Sequence, residues 1–154
     1  MNRSRDKVRC ALNHQNAGSI PVDFGSTAVT GIHCRIVEAL RNYYGLAPRP
    51  VKIVDAFQML GEIDAELAEK IGVDCIGIGG PKDIFDLDTT RMHEQTTPWG
   101  QRVLVPEAMD LTPDMRGDVY VYAGGDQNYP PSAVMHKGCY FINAIERQQP
   151  IEED

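Results

Sequence analysis

The sequence predicts an α/β fold, with βαβ units and a parallel sheet in the first half and antiparallel strands in the second. Three observations lead there. Up to Gly80, short apolar runs alternate with stretches of helical periodicity, the pattern of strands joined by crossover helices. Beyond Gly80 the helical periodicity vanishes, and runs rich in Val, Thr and Tyr surround turn residues. In "DVYVY", Val119 and Val121 alternate with Tyr120 and Tyr122, the period of a strand with two distinct faces.

Each element follows from local chemistry. Residues 5–14 are predicted as a short helix, because Val8, Ala11 and Leu12 form one stripe and Ser4 is a candidate N-cap. "NAGS" breaks it, and 20–24 is predicted as a strand, with Pro21 near its start where no ladder donor is needed. The spacing predicts a helix over 32–44, with Ile32, Ile36, Leu40 and Tyr43 on one face, Ala39 and Tyr44 beside them, and Gly45 as the terminator. Thr30 is the expected N-cap. After the proline-punctuated "LAPRP", residues 51–54 read as a buried strand. A second helix is predicted over 60–71 from Leu60, Ile63, Leu67, Ala68 and Ile71, ended by Gly72. "VDCIGIGG" reads as a further strand. "RMHEQTTPWGQRVLVP" predicts two strands around Pro98, Trp99 and Gly100, and "DVYVYAGGDQNYPPSAVMHKGCYFI" two more around Gly124, Gly125 and Asp126. The expected division is 1–82 for the βα units, 83–142 for a β-hairpin insertion and 143–154 for a polar, acidic tail.

Composition narrows the function classes. The chain has 154 residues, enough for one domain with a core, and 42% hydrophobic and 24% charged residues argue against disorder. A formal charge of -7 repels phosphate backbones and anionic lipid, so neither nucleic acid nor membrane is an expected partner. No apolar run approaches the roughly 18 residues that span a bilayer, and the basic N-terminus is followed by no signal-type apolar region. The expected location is the cytoplasm. Cys10, Cys34, Cys75 and Cys139 show no CxxC pairing and are expected as free, mostly buried thiols. The four histidines show no zinc-type spacing. "GIGGPKD" lacks the spacing of a dinucleotide loop and leads into no predicted helix.

The order of four segments carries a resemblance. "RDKVRCALNHQNAGSIPVDFGSTAVTGIH", "VKIVDAFQMLGEIDAELAEKIGVDCIGIG", "TPWGQRVLVPE" and "GGDQNYPPSAVMHKGCYFINAIERQQPIEED" together resemble the start of uroporphyrinogen decarboxylase (URO-D) superfamily proteins. The likeness is greatest to their methyltransferase-like branch, which includes corrinoid:coenzyme M methyltransferases, and it covers nearly the whole chain. It implies part of a (β/α)8 TIM barrel, holding the N-terminal strands and helices with an inserted antiparallel β-hairpin region. It also implies that the 154 residues are an N-terminal portion, inactive alone, of an enzyme that moves a methyl group between a corrinoid carrier protein and a small acceptor. Zinc would serve that whole enzyme, held by a histidine and two cysteines that match no position in this sequence.

Two departures separate the chain from true uroporphyrinogen decarboxylases. Those enzymes place arginines after the first strand to hold substrate carboxylates, whereas "DFGSTAVTG" over 23–31 contains none. They also carry an aspartate at the end of a later strand, where this chain has Gly80 or Pro81, and Asp83 matches only with a shift. Porphyrinogen decarboxylation is therefore the alternative reading, alongside a non-catalytic α/β domain that binds a ligand or partner.

In a barrel, chemistry collects at the C-terminal ends of strands. That singles out Asp23 and His33 after the first strand, and Asp55 and Gln58 after the second, as substrate-binding candidates. Each has a structural alternative. Asp23 is either a ligand acceptor or a strand-end acid satisfied by backbone N–H groups. His33 is either a proton donor or acceptor, or an imidazole bonded to a carbonyl. Asp55 and Gln58 reach a ligand or stabilise their own loop. Trp99 and the tyrosines of the hairpin region are local packing or a lid. No catalytic residue is assigned, and no metal ligand.

Overall fold

The computed structural model describes residues 3–147; the expected tail beyond 147 lies outside the described residues. Three helices and seven short strands follow in order: α1 (Arg3–Leu12), α2 (Cys34–Tyr43), β1 (Val51–Asp55), β2 (Leu60–Gly61), α3 (Ala65–Ile71), β3 (Met92–Thr96), β4 (Arg102–Pro106), β5 (Val119–Val121), β6 (Ala133–Met135) and β7 (Asn143–Ala144). The strands form two small sheets, one ordered β2-β1-β4-β3 and one ordered β5-β6-β7.

This corrects the expected fold class. Only β1 and β4 pair in parallel, with Val51 opposite Val103; β1–β2, β3–β4, β5–β6 and β6–β7 are antiparallel. The described residues form no partial (β/α)8 barrel and close no sheet on itself. The reason lies in the two runs that should have flanked β1. Residues 20–24 and 73–80 join neither sheet. Their one regular link is the Asp74 N–H donating to the Val22 carbonyl at 2.8 Å. With those places unfilled, β1 pairs instead with β2 on one side and β4 on the other.

α2 begins one turn later than the Thr30 cap implies. His33, in extended conformation, is the N-cap, and its ring accepts from the Arg35 N–H. The buried face also differs: Cys34, Val37 and Arg41 point inward, while Ile36 and Tyr43 of the expected face stand in solvent. Arg41 displaces an apolar residue because both of its terminal nitrogens are paired, although its Nε is buried with no partner among the described residues. It donates to Asp64 Oδ2, to the Ala47 carbonyl at 2.8 Å and to Glu66 Oε2 at 3.0 Å.

α3 is shorter than the predicted 60–71. Leu60 and Gly61 pair with β1, and the helix waits for Asp64, whose carboxylate accepts from the Glu66 and Leu67 N–H groups. Burial alone would raise the Asp64 carboxyl; the Leu67 N–H, Arg49 and Arg41 more than offset this and hold it below its usual range. Gly72 ends the helix at φ 81°, where any side chain would be strained. Gly61 is required by contact, since a Cβ there would fall 2.6 Å from Val51 Cγ1 and 2.8 Å from Val37 Cγ2.

The β3–β4 and β5–β6 pairs lie on the two predicted hairpins, around Trp99 and Gly124. One core joins the two sheets and α2. It contains Val37, Ile53, Met59, Leu67, Val103, Val105, Leu111, Val119, Met135 and Ile142.

Candidate functional site

His33 lies at the centre of the most connected polar and aromatic cluster. Three segments meet there. The first is the α2 N-terminus, held to the β1–β2 turn by the Cys34 N–H donating to the Met59 carbonyl at 2.8 Å and the Gly61 N–H donating to the Ile32 carbonyl at 3.0 Å. The second is the β3–β4 turn, which brings Trp99 to 5.4 Å between ring centroids. The third is the approach to β7, which brings Tyr140 to 6.1 Å and Phe141 to 5.4 Å, both edge-on. Ile142 anchors this last segment by donating its N–H to the Phe57 carbonyl at 3.0 Å. The Arg35 guanidinium lies 4.7 Å from the centre of the Tyr140 ring.

The hydrogen bonds settle the protonation of His33. Its Nδ1 accepts from the Arg35 N–H at 3.2 Å, so the proton is on Nε2, which donates to the Tyr140 carbonyl at 3.0 Å. Burial lowers its pKa; the Tyr140 carbonyl opposes that shift, and the Arg35 charge adds to it. The ring is neutral at pH 7 with both nitrogens engaged.

Beneath it, Gln101 is buried and saturated. Its Oε1 accepts from Trp99 Nε1 at 3.1 Å and from the Cys34 thiol at 3.3 Å, while its Nε2 donates to the Cys34 carbonyl at 3.0 Å. Its own N–H donates to Thr97 Oγ1 at 3.0 Å. This network fixes the β3–β4 turn to the start of α2. Burial pushes the Cys34 thiol up to about 12, so it remains protonated and serves as a donor.

The other candidates are used locally. Asp23, exposed in loop 23–31, accepts from the Ser26 N–H at 3.3 Å and from the Thr30 hydroxyl at 3.4 Å. Thr27 and Thr30 complete the loop with a hydroxyl contact at 3.1 Å. Asp55, at the end of β1, accepts from the Gln58 N–H at 2.8 Å, and Gln58 is exposed. The structure thus places His33 on the β1–β2 turn that follows Asp55 and Gln58, while Asp23 stays in its own loop.

Asp83 lies outside this cluster and bonds within its own turn. Its Oδ1 accepts from the Phe85 and Leu87 N–H groups at 2.9 and 3.0 Å, and its buried Oδ2 has no partner among the described residues. Burial raises its carboxyl pKa, and the charges of Asp55 and Asp86 raise it further. The Asp83 carboxyl therefore closes its own turn.

Trp99 was predicted as packing or a lid. Tyr140 belongs to the hairpin tyrosines given the same reading, while Gln101 and Phe141 had no local signal; Gln101 and the Tyr140 carbonyl reach the start of α2 from 67 and 107 positions away. All four cysteines are free, but only Cys34 is buried. Among the described residues, no group of three His, Cys, Asp or Glu side chains is arranged to hold a metal ion. The donors present do not fit zinc: the Cys34 thiol keeps its proton, and both His33 nitrogens are taken. No described helix is long and apolar enough to cross a membrane.

No family model matches the chain, and neither a curated protein nor a solved structure matches it.

Proposed function

We propose that the chain is a portion of a URO-D superfamily methyltransferase, acting in the cytoplasm on a methyl group exchanged between a corrinoid protein and a small acceptor. The reading rests on the resemblance in segment order. The observation that carries it is the character of loop 23–31. The loop has no cationic residue, and its polar groups, Asp23, Thr27 and Thr30, bond to one another. Around it, Ile20 is 86% exposed, and Ile76 and Ile78 are 91% and 98% exposed. Such a wall suits an organic ligand of low charge better than a porphyrinogen with many carboxylates. Asp83 supports the same preference, because both N–H groups it binds belong to its own turn.

In this reading the described residues bind and orient, and among them no zinc ligand set is assembled. The histidine and cysteines that would hold zinc are then encoded elsewhere in the protein. The test is to read the coding DNA on past the codon for Asp154 and to assay the whole encoded product. An in-frame histidine, a cysteine two residues on and a further cysteine, with thiol-dependent demethylation of methylcobalamin followed by its absorbance, support the proposal. Turnover of uroporphyrinogen by the same product sinks it in favour of the decarboxylase.

A second reading, a non-catalytic α/β binding domain, is favoured by one observation: both ring nitrogens of the candidate His33 are committed to structural bonds. A cooperative, monomeric melt of the 154-residue chain supports it; a broad transition with aggregation favours the first reading.

A further inference from the structure

We propose that His33 is a proton-released latch that holds the segment carrying Tyr140 and Phe141 against the β3–β4 turn and caps α2 at the same time. The geometry requires one protonation state for both tasks. Nδ1 must be bare to accept the Arg35 N–H, and Nε2 must carry hydrogen to reach the Tyr140 carbonyl. A second proton can enter only at Nδ1. There it removes the acceptor for the Arg35 N–H and leaves two donors face to face.

The charges around the ring all act against that second proton. The helix whose first N–H groups meet the imidazole presents its positive end. Arg35, on the same helix, adds a full positive charge. The β3–β4 turn contributes Trp99 and Gln101, neither of which titrates near neutral pH. The segment before β7 contributes Tyr140, whose ring is already covered by Arg35, and β2 contributes Leu60, which is apolar. The Cys34 thiol lies 3.8 Å from Nδ1 and keeps its own proton, since burial pushes it up and the Glu38 charge adds to that. The Trp99 ring would attract an imidazolium, but it is tilted by 45° and does not replace the lost acceptor.

Beyond His33 the segment is anchored at its far end by Ile142, which is buried in the core. Tyr140 and Phe141 are each more than a third exposed, and the flanking Ile142 is tied by its N–H to Phe57. When His33 rotates out of the N-cap to shed the clash, its bond to the Tyr140 carbonyl goes with it. The release is therefore local: it uncaps α2 and frees the Tyr140 strap while the β1–β4 sheet remains.

The sign of the linkage follows from the lowered pKa. The unfolded or released form takes up a proton near the ordinary histidine value of about 6.5, and the latched form resists it. The latch is fully present above pH ~6.5, weakens as pH falls below that value, and its loss is complete once pH is under the lowered value.

Trp99 is the chain's single tryptophan and stands beside this ring, so its fluorescence reports the proton directly. The experiment is a pH titration of Trp99 emission in the full chain from pH 8 to 4, with hydrogen exchange by mass spectrometry or NMR, corrected for intrinsic rates. The expected result is quenching with a midpoint below about pH 6.5, with at least tenfold faster exchange at the Arg35 amide and unchanged protection in β4. His33→Asn keeps a cap acceptor without a titrating ring, and His33→Gln keeps a donor of similar reach to Nε2; both are expected to abolish the midpoint. A flat emission profile overturns the latch. So does a midpoint that persists in both variants, or quenching without faster exchange at Arg35. Equal loss of protection in β4 overturns it as well, since that outcome is global unfolding.

Discussion

Two sets of apolar residues, alike in composition, end in opposite environments. Val51 and Ile53 of β1 and Val103 and Val105 of β4 are buried, and they form the inner face of the larger sheet. Ile20, Val22, Ile76 and Ile78 belong to runs with equal strand propensity, yet they are exposed. The difference is the partner. β4 has β3 as a local hairpin mate, and that pair offers β1 an edge in register. The 20–24 and 73–80 runs meet each other at Val22 and Asp74 but pair with no strand of either sheet. An apolar run becomes a strand when backbone groups on a neighbour stand ready to pair with it, and hydrophobicity alone does not provide that.

Three substitutions test how deep this division goes. The largest effect is expected at Arg41→Leu. Arg41 is 3% exposed and lies between Asp64 and Glu66, so its removal leaves Asp64 to Arg49 alone in a half-buried site. A loss of about 3–5 kcal/mol in urea unfolding is expected, as for other broken buried ion pairs; a loss under about 1 kcal/mol would mean that solvent already screens the network. Next is Leu111→Ala, which empties a fully buried core position and is expected to cost about 2–5 kcal/mol by thermal or urea denaturation. The smallest effect is expected at Ile78→Ser. At a surface position the change should fall within about 0.5 kcal/mol. A destabilisation there as large as at Leu111 would show that 73–80 is covered in solution, and the contrast between the two regions would collapse.

The same contrast explains what could be read in advance. The hairpins around Trp99 and Gly124 were legible because their turn residues and alternation are local. α2 and the Gly72 end of α3 were legible for the same reason. The inner face of α2 was not, because Arg41 is made acceptable by Asp64 and Glu66, 23 and 25 positions away. The start of α3 was misplaced because Leu60 and Gly61 carry helix-compatible side chains but pair with Ile53 and Asp55. The barrel expectation failed on 20–24 and 73–80, whose sequence supplies strand propensity and no mate. Of the candidate site, His33 was singled out correctly as a residue at a helix start. Its meaning was hidden, since the Tyr140 carbonyl and Trp99 that define it are distant in the chain.

The parallel pairing of Val51 with Val103 also sets an order of events in time. The β3–β4 hairpin closes around a short turn and can form on the microsecond scale. β1 cannot join it until a loop spanning β2, α3 and the 73–91 stretch has been brought round, and that entropy must be met before any contact rewards it. During that interval the inner face of β4 is exposed, in addition to Ile76 and Ile78, which stay exposed in the folded chain. The chain is therefore most vulnerable to association early in refolding, and its recovery on dilution from denaturant should fall steeply with protein concentration while its unfolding rate does not.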